Sequence, residues 1–225
     1  MTADPPKPEG QPATKILNLP TDEELRAAYA EYIAAVGAVA HVWNYLHEQL
    51  GQLFSLVMGG DYNRTLAVWY AIPDDRQQRK LLRAALEASA KDRWKPRLPK
   101  ARRHLFWLLQ ETDDLADRRN DAIHAPCSIY VGEDGHGMGP AFFNGNPRAR
   151  KLKGRNIVQE FTWCSARAEQ LSQFAERARS ALISEDFAWP SRPAPPECGD
   201  RTSRQGQGRP TRPKSPSPLP PSSLG

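Results

Sequence analysis

Cysteine is scarce in this chain of 225 residues: only Cys127, Cys164 and Cys198 occur. The odd count, with no two at metal-ligand spacing, argues against a disulfide framework or a zinc ribbon. Long apolar runs are also missing. The opening stretch MTADPPKPEGQPATK has no apolar core of a signal peptide, and no window approaches a membrane span, so a cytoplasmic protein without membrane contact is expected. Proline is thin in the middle: six of 21 fall in 21–189, against five in 1–20 and ten in 190–225. Aliphatic residues are nearly absent from 190–225, which cannot bury enough surface to offset its ordering entropy. The expected organisation is a disordered leader over 1–20, one folded domain over 21–189 and a disordered, proline-rich basic tail over 190–225.

Charge follows the same division. From Arg192 to Lys214 the tail holds six basic residues against Glu197 and Asp200, a net +4 of the chain's +5. The folded part is therefore close to neutral, and the isoelectric point near 9.2 is mostly a property of the tail.

What the middle does contain is helical periodicity. Thr21 and Glu24 stand at capping-box spacing. From there Leu25, Tyr29, Tyr32, Val36, Val39, Trp43, Leu46, Leu50, Leu53 and Val57 step by four and three, predicting one long helix closed at Gly59 and Gly60. A short helix is expected over NRTLAVWYA, another from Pro73 through DDRQQRKLLRAALEASAKD, and a fourth from Ala101 to about His124. SIYVGEDGHGMGPAFFN predicts a hairpin around a glycine-rich turn. The basic stretch RARKLKGR follows, and Ile157 to Leu182 again step by four and three. No internal repeat stands out. The fold class is all-α: an up-and-down bundle of four to five helices with a small β-hairpin insertion before the last one.

The stretch RRNDAIHAPC, 118–127, closes the fourth helix. With Arg119 at zero and about 100° per residue, Leu105, Leu108, Thr112, Leu115 and Ala122 fall within roughly 60° of it. Arg119 thus sits in the apolar seam, where an uncompensated cation costs several kcal/mol. Asn120 lies about 100° round and His124 about 140°, with Asp113 and Asp117 in the same flanking stripe. Pro126 disfavours helical geometry at Ala125, which places His124 in the last turn. The residue types suit phosphodiester cleavage. Histidine exchanges a proton near neutral pH, and arginine's planar fork matches non-bridging phosphate oxygens. Asparagine can hold the ring or the scissile group, and this chemistry calls for neither metal nor cofactor.

RRNDAIHA, late in a helix of a small all-α bundle, resembles the signature of HEPN domains: arginine, a polar residue often asparagine, then histidine a few residues on. The resemblance implies a metal-independent endoribonuclease acting on single-stranded RNA in a toxin or phage-defence setting. It further implies a homodimer with one composite site and a product ending in a 2′,3′-cyclic phosphate. Arg119 would stabilise the phosphate, Asn120 orient, and His124 transfer the proton. Where the common form continues His-Gly, this chain has His124 and Ala125. Other HEPN-like proteins are noncatalytic dimers that bind nucleotide or a partner protein, so an antitoxin or nucleotidyltransferase partner belongs to the same expectation. Outside the motif, Arg148, Arg150, Lys151, Lys153 and Arg155 are candidate RNA-backbone ligands, near Phe142 and Phe143. Asp117 and His47 are candidates to support the site from behind. His41 and His136 suggest nothing definite, and Arg97 with His104 is a decoy interrupted by Pro99.

Overall fold

The structure is a computed structural model that describes residues 21–90, 96–132, 135–141 and 145–197. Six helices and one hairpin follow in chain order: α1 (Asp22–Met58), α2 (Tyr62–Tyr70), α3 (Asp75–Ala88), α4 (Ala101–His124), β1 (Cys127–Gly132), β2 (Gly135–Pro140), α5 (Pro147–Lys151) and α6 (Ile157–Ile183). None of the helices is long and apolar enough to cross a membrane, among the described residues.

The local signals act where the sequence places them. Thr21 caps α1 through the reciprocal pair with Glu24, and Gly59 closes it at a φ of 72°. Asp74 rather than Pro73 starts α3, because the Asp74 carboxylate accepts from the Arg76 N–H and satisfies an orphan donor of the first turn. Asn146 caps α5, a short helix within the basic stretch. Asn156 caps α6 in the same way.

The core is the seam shared by α1 and α6, with α4 packed across α6 and α3 along α1. Val39, Trp43, Leu46, Leu50, Leu53 and Phe54 from α1 meet Phe161, Ala168, Leu171, Phe174 and Ala175 from α6. Before Val39, α1 is largely exposed: Tyr29 and Ile33 lie open, whereas Tyr32 meets Phe161 edge-on at 5.8 Å. At the other end α2 folds back so that Trp69 covers Gly51. A Cβ there would stand 2.8 Å from the indole Nε1, so the close approach requires glycine. Helices α3 and α4 run antiparallel, as Arg76 reaches Asp117 and Arg79 reaches Asp113.

The hairpin leaves α4 directly: Ala125 is extended, as Pro126 requires, and Ala141 N–H returns to the Pro126 carbonyl at 2.7 Å. Strands β1 and β2 pair antiparallel from Cys127 opposite Pro140 to Gly132 opposite Gly135. The Tyr130 ring lies over Gly137 and Gly139, where side chains would collide with it.

The packed chain runs beyond residue 189, the expected end of the domain. Residues 184–197 lie back along α6, where the Trp189 indole donates to His104 Nδ1, Arg167 donates to the Pro193 carbonyl and the Trp163 indole donates to the Pro196 carbonyl. Composition alone misassigns 190–197, because the partners that hold it are distant in sequence. The remainder of the tail, the leader, Phe142, Phe143 and Cys198 fall outside the described residues.

Candidate active site

The end of α4 sorts its polar residues by direction. Arg118 turns to α6, where Nε and Nη2 donate to the two Glu160 oxygens at 2.8 and 3.0 Å and the guanidinium stacks 3.6 Å from the Trp163 ring centre. Arg155 joins the same carboxylate at 3.1 Å. Asp121 turns to α5 and pairs with Lys151 at 2.6 Å. Asp117 pairs with Arg76 in solvent at 3.1 Å, so it does not support Arg119.

Arg119 turns the other way, into a cleft of about 510 Å³ lined by Trp43, Asn44, His47, Pro73, Asp74, Asp75, Gln78 and Arg119 itself. Its guanidinium stands over the Trp43 ring at 4.8 Å, and Nη1 donates to Asn120 Oδ1 at 3.0 Å. It makes no ion pair among the described residues, and its Nε–H is buried without an acceptor. Burial lowers the pKa of Arg119, partly countered by the Asp75 carboxylate across the cleft. The seam geometry therefore holds, since Leu105, Leu108, Thr112, Leu115 and Ala122 are all buried.

The rear wall of the cleft is a saturated network. Gln78 commits its amide N–H groups to the Trp69 and Ile72 carbonyls, so its Oε1 faces His47 Nδ1 at 3.2 Å as acceptor. That places the His47 proton on Nδ1 and leaves Nε2 to accept from Arg79 Nη1 at 3.1 Å. Burial, reinforced by the Arg79 charge, pushes His47 down to about 4. Arg79 in turn donates to Asp113 at 2.6 Å and lies 3.5 Å from Asp75, whose other oxygen accepts from the Trp43 indole at 3.0 Å. His47 thus supports the cleft wall as a neutral ring with both nitrogens engaged. It has no lone pair left for proton transfer.

His124 is exposed at the last turn of α4 and does not line the cleft, nor does Asn120. Five residues of helix separate His124 from Arg119, about 7.5 Å of rise and 140° of rotation. One chain does not bring the imidazole and the guanidinium to a single point. Of the candidate RNA ligands, all five are exposed. Lys151 pairs with Asp121, and Arg155 shares Glu160 with Arg118, whereas Arg148, Arg150 and Lys153 make no ion pair among the described residues. Residues Trp43, Asp75, Gln78 and Arg79, which shape the Arg119 environment, carried no local signal for it, as they reach it only through the packing of α1 and α3. His41 is exposed, and no group of three potential metal ligands occurs among the described residues. His104 is held by Trp189, and Arg97 donates to the Ala181 carbonyl at 2.5 Å, so that pair serves packing. Cys127 lies against Tyr32, which burial raises to about 12, and burial raises the Cys164 thiol to about 12 as well.

No family model, no curated protein and no solved structure matches the chain, so its functional reading rests on its own residues.

Proposed function

We propose that the protein is a HEPN-type endoribonuclease in which two copies pair so that Arg119 and Asn120 of one face His124 of the other across single-stranded RNA. The observation that carries this reading is the condition of Arg119. Among the described residues it is a half-buried cation without a carboxylate ion-pair partner, and its Nε–H lacks an acceptor. Such a group is costly unless an anion completes it, and a phosphate oxygen has the geometry to do so. The intact Arg-Asn-x-x-x-His spacing on one helix end supports it further. A second copy has a surface to meet: Tyr29 and Ile33 on α1 and Ile129 and Tyr130 on β1 are exposed, on the elements flanking the motif.

In the reaction, the RNA 2′-oxygen attacks the adjacent phosphorus, and the P–O5′ bond breaks. The His124 imidazole takes the 2′-hydroxyl proton and passes it to the departing 5′-oxygen, leaving a 2′,3′-cyclic phosphate and a 5′-hydroxyl. Arg119 stabilises the charge that builds on the non-bridging oxygens, and Asn120 holds the guanidinium in place. Arg148, Arg150 and Lys153 steer the backbone toward the helix end.

The test is a digest of single-stranded RNA in excess EDTA with analysis of the new 3′ ends. The parent should leave cyclic phosphates, and His124→Ala should cut slower by about 10²–10⁴ with its fold retained. Absence of cleavage, or an equally active variant, would refute the reading. The separation of His124 from the Arg119 cleft within one chain favours a second reading, a noncatalytic HEPN-like dimer that binds nucleotide or a partner protein such as an antitoxin or a nucleotidyltransferase. Nucleotide or partner binding that needs Arg119 but not His124, without cleavage, distinguishes it.

A further inference from the structure

Residues 190–197 pack although their composition is that of a solvated tail. Pro190, Pro193 and Pro196 are half-buried, and Ser191, Arg192, Ala194, Pro195 and Glu197 are exposed. One inward residue in three is the period of an extended polyproline helix, which has three residues per turn and a fully solvated backbone. The groove between α4 and α6 meets it as receptors meet such segments, with aromatic faces and donors aimed at carbonyls. Arg167, only 2% exposed, donates to the Pro193 carbonyl at 3.2 Å while Glu111 holds it from behind at 2.6 Å. The Trp163 indole donates to the Pro196 carbonyl at 3.0 Å. Arg192 lies over the Trp107 ring at 5.0 Å. Trp189 anchors the entrance against Phe174 and His104.

The chain carries this sequence pattern twice. Residues 190–196 read Pro-Ser-Arg-Pro-Ala-Pro-Pro, and 210–216 read Pro-Thr-Arg-Pro-Lys-Ser-Pro. The three inward prolines and the arginine recur, and the changes fall on the positions that are exposed in 190–196. What the second copy lacks is the anchor, because Arg209 stands where Trp189 stands in the first.

We infer that the α4–α6 groove is a receptor for extended Pro-Ser/Thr-Arg-Pro-x-x-Pro segments, filled by 190–196, and that its competing occupant is 210–216 of the same chain. Pro190 enters beside Phe174, and Pro196 ends at Trp163, near the start of α6. Once 190–196 is out of the groove, the chain departs from the entrance at Trp189, and the residues up to 210 need only loop back to that entrance, so tethering gives 210–216 an effective concentration that a separate copy lacks.

The probe is a fluorescein-labelled peptide of residues 208–218, titrated into the full-length chain. Trp189→Ala removes the anchor of the cis segment without altering the groove's donors. This variant should bind the peptide saturably, and the unmodified chain should bind it at least about tenfold more weakly, because its tethered competitor 190–196 keeps the Trp189 anchor and acts at millimolar effective concentration. Adding Arg167→Met should abolish binding, and a scrambled peptide of the same composition should not bind. A folded Trp189→Ala chain that ignores the peptide, or binds the scrambled one as well, overturns the inference. Should that variant fail to fold, the unmodified chain answers. With millimolar peptide, the Trp163 indole N–H resonance, assigned through Trp163→Phe, should shift. An unmoved resonance overturns the inference.

Discussion

Arg79 and Arg119 stand over the same tryptophan, at 5.6 and 4.8 Å from the Trp43 ring, and have opposite surroundings. Arg79 is 2% exposed, with Asp113, Asp75 and His47 all within reach of its guanidinium. Arg119 has one neutral side-chain acceptor and an orphan Nε–H. A cation whose donors are consumed inside the protein serves the fold. A cation held by an aromatic face and an amide keeps donors for something outside it. Arg118, one residue away, belongs with Arg79, since Glu160 and Trp163 absorb it.

That contrast can be broken by substitution. The largest effect is on catalysis: on the ribonuclease reading, Arg119→Met slows RNA cleavage by about 10²–10³. Its unfolding free energy should change by less than about 1 kcal/mol, because no ion pair is lost. Urea titration beside the cleavage assay checks both halves. Arg79→Met should do the reverse on stability, costing about 2 kcal/mol through the lost Asp113 pair and the stranded His47 lone pair, while Asp113 keeps Arg83 and Asp75 keeps the Trp43 indole. Equal destabilisation by the two changes would erase the distinction.

The pH dependence sharpens it. His47 is held neutral to about 4 in the folded chain, against an ordinary value near 6.5. Between those values the unfolded chain binds the extra proton, so stability rises with pH across that window and is complete above it. Acidifying from pH 7 to pH 4 should therefore cost about 3 kcal/mol through this ring, and His47→Gln should flatten that part of the profile. A folded chain whose stability is flat over this window would contradict the assigned tautomer network. The smallest effect concerns the basic segment. Replacing Arg148, Arg150 and Lys153 together should reduce the salt slope of RNA binding by about 2. Replacing the internally paired Lys151 and Arg155 should change it less.

Much of the fold was legible because its signals are local. The four-three stepping of α1 and α6, the Thr21 and Glu24 box and the Pro126 stop depend on neighbours within a turn or two. The position of Arg119 in the α4 seam followed from the same arithmetic. The directions of Arg118 and Arg119 did not, because each is decided by helices far away in sequence. The short α5 was hidden by its charge, although Asn146 followed by Pro147 is a start signal. The docked segment 190–197 was hidden by its composition, as its stability comes from Trp107, Trp163 and Arg167 rather than from itself.

The central claim is that the guanidinium and the imidazole act from different chains, and complementation measures it directly. Arg119→Ala and His124→Ala chains, each inactive alone, are mixed and allowed to exchange. Random pairing makes half the dimers mixed, with one of the two Arg119–His124 pairs in their composite site intact, so cleavage should return to about a quarter of the parent rate. A mixture that forms dimers yet stays as inactive as its components would contradict the account.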